Sequence, residues 1–211
     1  MVQTVSAQDI NLRYLIDHFQ LERVQNQVEF FPEWQNYLDE LNSTEKQWLD
    51  RVQQGFINLL NYPPVSENLV KMAIVDPILF IAGFFLYPYH IRSEESVELA
   101  LEDEDTIIRG RMDTLVLKDE LWVMVIESKK AGFSTYAGLA QILAYMLTHP
   151  HPEHPNYGLI ATGETFVFVK LVQEDVPRYA TSKLFATLNP GNELYDVVRI
   201  LKSLCKMAIA Q

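Results

Sequence analysis

A single cysteine, Cys205, leaves the chain of 211 residues without an intramolecular disulfide or a thiolate zinc site, and so without any mark of an oxidising compartment. The residue type there suits a small buried position on a closing helix. Excess positive charge is missing too: 17 Lys and Arg stand against 28 Asp and Glu, a net charge of −11. That excludes a surface holding nucleic acid by bulk positive charge and leaves only local contacts to a polyanion. Long hydrophobic runs are also absent. The longest, Ile78 to Tyr87, is far short of the ~20 residues that span a bilayer. The first thirty residues lack the basic start, apolar run and small-residue cleavage site of a signal peptide, so a soluble, cytoplasmic protein is expected. Glycine and proline are scarce, at 8 and 10 residues, while 48% of the chain is hydrophobic, which excludes a fibrous or disordered chain. The length suits one α/β core with an added helical segment.

Apolar spacing divides the chain into elements. Residues 8 to 61 read as helical: Leu12, Leu15, Ile16 and Phe19 recur at helical spacing within a helix from Asp9 to Val24. A second helix runs from the cap-like Ser43-Thr44 to Leu60, where Pro63-Pro64 stops the pattern. Ser66 and Glu67 open a third, which Pro77 kinks or ends and Gly83 closes. From residue 88 the pattern turns to β-branched and alternating or continuous apolar runs, predicting strands near 88–101, 106–117 and 121–128. The intervening turns fall at 102–105 and 118–120. A helix follows over 134–148, then strands over 157–161 and 165–172, a further strand near 179–187, and a closing helix over 193–208. The expected organisation is an N-terminal helical extension, residues 1–61, before an α/β domain over 62–211 whose mixed central sheet is flanked by helices.

Chemistry is signalled where charge interrupts a buried strand. Residues 121–128 read Leu-Trp-Val-Met-Val-Ile-Glu-Ser, apolar on both faces, as a central strand covered by helices does. Glu127 and Lys129 then place a carboxylate and an ammonium on one face of its end. With a hairpin loop at 118–120, Asp113 falls roughly opposite Val125, within reach of both. Two carboxylates in a partly desolvated site repel, and a hard divalent cation taking oxygen from both reconciles them.

Gly110-Arg111-Met112-Asp113, a thirteen-residue spacer, and Ile126-Glu127-Ser128-Lys129 resemble the core signature of the PD-(D/E)xK nuclease superfamily, with Met112 in place of the nominal proline. Gln141 to Tyr145 looks like the Gln-x-x-x-Tyr motif of its exonuclease branch. The segment from Ser66 through Asp76-Pro77-Ile78-Leu79 is similar to the first core helix of the nuclease domain in type I restriction motor subunits. The whole chain is similar to small cyanobacterial restriction-endonuclease-like proteins. The resemblance implies a restriction-endonuclease-like fold and hydrolysis of DNA phosphodiester bonds with Mg²⁺, for which Mn²⁺ can substitute. It implies Asp113, Glu127 and the Ser128 carbonyl as metal ligands, with Glu67 as an additional ligand or water contact. Lys129 would orient the attacking water and stabilise phosphate charge, and Gln141 would fix the strand or nucleophile, supported by Tyr145. DNA is then the implied partner, and a homodimer the arrangement that cuts two strands. Arg109, Arg111 and Lys130 bracket the signature as candidate phosphate contacts.

Plainer readings exist for each residue. Glu127 and Lys129 also make a buried ion pair; Gln141 also suits a hydrogen-bonded helix position and Tyr145 a core aromatic; Glu67 suits the macrodipole of a helix start. An alternative function is a catalytically silent module that keeps the fold and docks a protein partner or nucleic acid. His149, His151 and His154 alternate with prolines in a loop without the fixed facing geometry of a metal site. The run 102–105 lacks the ligand spacing of a calcium loop and reads as an exposed turn.

Overall fold

The computed structural model describes residues 3–36, 40–100, 106–118 and 121–210. The expected turn at 102–105, residues 119–120 of the next turn and the side chain of Cys205 lie outside the described residues.

The chain forms a mixed α/β structure around one large mixed sheet. Its strands are β1 (Gln3–Ser6), β2 (Glu22–Arg23), β3 (Tyr89–Ala100), β4 (Thr106–Lys118), β5 (Leu121–Ser128), β6 (Asn156–Ala161), β7 (Thr165–Gln173), β8 (Pro177–Thr181) and β9 (Phe185–Ala186). The order is β1-β4-β5-β6-β7-β8-β2, with β3 beside β4 and β9 beside β7. Helices α1 (Leu12–Phe19), α2 (Gln27–Phe30), α3 (Ser43–Leu60), α4 (Glu67–Val70), α5 (Asp76–Ala82), α6 (Thr135–Leu147) and α7 (Leu194–Ala210) complete it. Two apolar clusters cover the sheet. One joins α3, α4, α5 and α7 to it through Phe56, Val70, Ile78, Ile126 and Leu201. The other joins α1 and α6 through Leu15, Leu115, Val125 and Leu143. Among the described residues no helix is long and apolar enough to cross a membrane.

The N-terminal sixty residues depart from the expected helical run. The helix expected over Asp9 to Val24 ends at Phe19, because Gln20 turns into the left-handed region at φ 54°. Beyond it Glu22 and Arg23 pair in parallel with β8, and at the other edge β1 pairs in parallel with β4. Phe31, Leu41, Leu49 and Phe56 enter the same core as α7, so this segment supplies two sheet strands as well as helices. Short strands such as β2 carry too few residues for an alternating pattern to show in the sequence. Helix α3 starts with a capping box, the Asn42 side chain accepting from Glu45 N and Glu45 returning to Asn42 N, both at 2.9 Å. The cap is therefore Asn42, one residue before the expected start. The strand expected near 179–187 divides into β8 and β9, both pairing with β7.

The third helix is interrupted as Pro77 requires. Between α4 and α5, Lys71–Val75 form one π-helical turn, with Asp76 N bonding back five residues to Lys71 O. Pro77 has no N–H to donate and its ring crowds the carbonyl four residues back, so a widened turn lets the chain remain helical.

Candidate active site

The placement of the two carboxylates depends on an irregularity that the sequence does not announce. The β4–β5 hairpin closes at Lys118↔Leu121 and Leu117↔Trp122, and the next pair is Val116↔Met124, so Val123 is an extra residue on β5. An unbroken ladder would set Asp113 opposite Ile126, on the face away from Glu127. The bulge advances β5 by one residue, giving Thr114↔Ile126, and the next step brings Asp113 level with Glu127 on a common face. This corrects the expected pairing of Asp113 with Val125. The bulge shows in the packing as well: Val123 and Met124, neighbours in sequence, both enter the α3/α7 cluster.

Asp113 also sits where β4 changes partners. The first part of β4 pairs with β1 through Arg109, and the last part with β5 from Thr114. Between them the Asp113 carboxylate is placed to accept from a backbone group, and its Oδ2 takes the N–H of Ser128 at 2.7 Å. Lys71 Nζ donates to the Asp113 carbonyl at 3.2 Å.

Glu127 is 1% exposed and Lys129 7%. Lys129 Nζ donates to Glu127 Oε1 at 2.6 Å, while its backbone N–H donates to Ala161 O at 2.8 Å. The same ammonium lies 5.8 Å from the centre of the Phe133 ring, within cation–π range. Gly138 on α6 packs over the same face, where a Cβ would meet Ile160 Cγ2 tightly at 3.2 Å and Lys129 Cε in ordinary contact at 3.8 Å. Among the described residues Glu127 Oε2 finds no hydrogen-bond partner although it is buried, and Thr114 Oγ1 and Ser128 Oγ share that condition. Burial, and after it the charge of Asp113, push the Glu127 carboxyl up to about 8 against the opposing pull of Lys129. Burial raises Asp113 as well, the Ser128 N–H and Lys129 opposing it.

Glu67 stands exposed on the first turn of α4, capped by Ser66, and its charge reaches both carboxyls, raising each. The segment before α4 is tied to the loop after β5 by the bond from Ala131 N to Val65 O, 3.3 Å. From the other side, α6 supplies Gln141 and Tyr145. Gln141 Nε2 donates to Tyr145 OH at 2.8 Å, which donates to the Arg111 carbonyl at 3.1 Å. Gly110 makes this crossing sterically feasible, because a Cβ there would fall 2.3 Å from Tyr145 Cε1. The Tyr145 hydroxyl is pushed up to about 12, chiefly by burial and then by the Glu127 charge.

Asp113, Glu127, Ser128, Lys129, Gln141 and Tyr145 thus form one contiguous group, with Glu67 at its electrostatic margin. The Arg111 side chain is turned outward to an exposed ion pair with Glu94 at 2.6 Å, so only its carbonyl belongs to the group. Arg109 pairs outward with Glu98 at 2.8 Å, and Lys130 is exposed at the start of the following loop. Lys71 is missed by the motif pattern, although its place one helical turn after Glu67 puts both on one side of the helix. In the proline loop, His149 is buried and accepts from His151 N at 2.9 Å, and burial lowers its basicity. Its ring is therefore engaged locally.

The donor set fits a hard divalent ion. Among the described residues no three acidic, histidine or cysteine groups converge on one point, and magnesium requires no such cage, since one or two carboxylates with waters and phosphate oxygens suffice. Glu127 Oε2, a buried and unpartnered carboxylate oxygen, is the kind of acceptor that a bound cation or water satisfies. No family model matches the sequence, and no curated protein matches it.

Proposed function

We propose that the chain is a restriction-endonuclease-like nuclease of the PD-(D/E)xK type, hydrolysing phosphodiester bonds of DNA with Mg²⁺. The observation that carries the proposal is the convergence of Asp113, Glu127 and Lys129 on two adjacent strands, with a buried carboxylate oxygen left unpartnered. A purely structural ion pair has no use for a second carboxyl beside it, whose charge makes Glu127 harder to ionise.

Asp113 and Glu127 would hold the ion, with the Ser128 carbonyl as the further protein oxygen and Glu67 near enough to act on it electrostatically. When bound, Mg²⁺ supplies Lewis acidity at the phosphate and makes water a better nucleophile near neutral pH. The residues of the chain do the remaining work. Lys129 brings a fixed positive charge to the place where charge develops on the phosphoryl oxygens, and its burial strengthens that effect. Glu127 holds the Lys129 ammonium in position through the 2.6 Å bond. Gln141 and Tyr145 lock α6 against the Arg111 carbonyl, which fixes the β4 backbone two residues before Asp113. Lys71 steadies the Asp113 carbonyl from the opposite direction.

The catalytically silent module is favoured by one feature, the direct Glu127–Lys129 pair, which in a dry setting needs no ion. Purified protein incubated with linear, circular and single-stranded DNA in Mg²⁺ or Mn²⁺ separates the two. The nuclease reading expects metal-dependent cleavage, reduced by at least about a hundredfold in Asp113→Asn and Lys129→Ala. Wild-type protein that cuts none of these substrates in either metal contradicts it.

A further inference from the structure

We propose that Lys71 is a further substrate contact of this site, holding a backbone phosphate of the strand being cut from the side opposite Lys129. The inference rests on the nuclease reading and adds to it a binding residue that lies outside the signature motif.

The π-helical turn is what aims this lysine. In an unbroken α-helix Lys71 would share a stripe with Ile78 and Ala82, seven and eleven residues on. Both are core positions, 0% and 6% exposed, so the ammonium would be driven into apolar packing. The extra residue in the Lys71–Val75 turn rotates α4 against α5 by about 100°. Lys71 is thereby half-buried at the edge of the core, with Nζ 3.2 Å from the Asp113 carbonyl. Single π turns recur at functional sites, and the effect of this one is to set a cation beside the carboxylates.

The charge of Lys71 is uncommitted. Arg109, Arg111 and Lys129 each face a glutamate at ion-pair distance, whereas among the described residues the one bond of the Lys71 ammonium goes to a neutral carbonyl. Its charge is felt by the carboxyls of Asp113 and Asp76, yet burial outweighs it and raises both. It is not among the charges acting on Glu127, which Lys129 holds. The two ammonium groups therefore flank the carboxylate pair, Lys71 on the Asp113 side and Lys129 on the Glu127 side. An ammonium carries three donors. The carbonyl occupies one, which leaves two for phosphate oxygens. With Glu67, Asp113 and Glu127 ionised, Lys129 and a bound divalent ion bring the site to no net charge. A phosphodiester then adds a negative charge that Lys71 offsets. In a chain of net charge −11 no broad positive field holds the strand, so a local cation must do so.

The test uses the full chain with fluorescein-labelled duplex and single-stranded DNA. Anisotropy in Ca²⁺ is followed from about 50 to 200 mM KCl, and cleavage is measured in Mg²⁺. Lys71→Met removes the charge and the donor, Lys71→Gln keeps a donor for the Asp113 carbonyl, and Lys71→Arg keeps the charge. In both neutral variants binding is expected to weaken about tenfold, with a plot of log K against log salt shallower by about 0.9 for duplex or about 0.7 for single strands, the value of one lost phosphate contact. Lys71→Arg restores the slope. KM rises about tenfold while kcat changes less than about threefold, the pattern of lost uniform binding. Mn²⁺ binding without DNA, followed by electron paramagnetic resonance, is not weakened, because removing a nearby positive charge favours a cation. A lysine that only braced Asp113 would lose metal affinity and leave the slope as it was. An unchanged slope in the neutral variants overturns the phosphate contact and, where the natural chain cuts DNA, leaves the nuclease reading intact. A shallower slope with no cleavage by the natural chain supports the contact and removes hydrolysis. Absence of both binding and cleavage overturns both.

Discussion

Lys129 and Glu127 are each other's main compensation, and the consequences of separating them depend on pH. Removing the lysine leaves a buried carboxylate without its cation, a change that costs about 3–5 kcal/mol when the remaining charge stays ionised. Glu127 can escape that cost by taking up a proton, since burial already raises its carboxyl to about 8. Lys129→Ala is thus expected to lower stability strongly above pH 8 and far less near pH 5, as measured by urea unfolding at the two pH values. The unaltered chain should follow the same direction. A group whose folded pKa lies above its unfolded value contributes stability that is complete below the unfolded pKa, near 4.5, and lost as pH rises through the folded one. The melting temperature of the metal-free protein should fall between pH 5 and pH 8, and Glu127→Gln should flatten that slope. A second single-residue consequence concerns Gly110, where a Cβ would lie 2.3 Å from the Tyr145 ring and 2.8 Å from Ala7 Cβ. Gly110→Ala should destabilise by about 1–3 kcal/mol, the usual range for overpacking, with Tyr145→Leu restoring part of the loss in the double variant.

The elements around the site were legible in the sequence to different depths. The alternation and β-branching of residues 106–118 and 121–128 and the apolar stripe of residues 135–147 are strong local signals, and β4, β5 and α6 form where they indicate. The bulge at Val123 was not legible, because Trp122, Val123 and Met124 are all apolar and an extra residue among them changes no polar pattern. Yet that residue decides whether Asp113 shares a face with Glu127. The Glu127–Lys129 spacing was readable since period-two geometry alone places both on one face. What Arg111 does was not, because its pairing with Glu94 depends on the neighbouring strand β3. The edge strands β1 and β2 were hidden by their brevity. Helix α3 provides a direct check on local reading: its capping box leaves Asn42 responsible for the Glu45 N–H. Asn42→Ala should therefore cost about 1 kcal/mol, measured by chemical unfolding, with no effect on metal binding because α3 lies on the opposite side of the sheet from α6.

The assembled protein is acidic overall yet concentrates buried polar chemistry at one end of its sheet. Two apolar layers enclose β4, β5 and β6, and at Asp113 and just after Ser128 this enclosure yields to a carboxylate pair, a lysine and an unpartnered oxygen. An ion at this point would be attracted by two carboxylates and opposed by the proton that Glu127 retains toward pH 8. Divalent binding should consequently tighten as pH rises and release a proton. The decisive measurement is anomalous X-ray diffraction from crystals soaked in Mn²⁺ at pH 8, collected for the natural chain and for Asp113→Asn. The account predicts one strong manganese peak at about 2.2 Å from oxygens of both Asp113 and Glu127, absent in the variant. A map with no peak there, while Lys129 Nζ remains on Glu127, would contradict it.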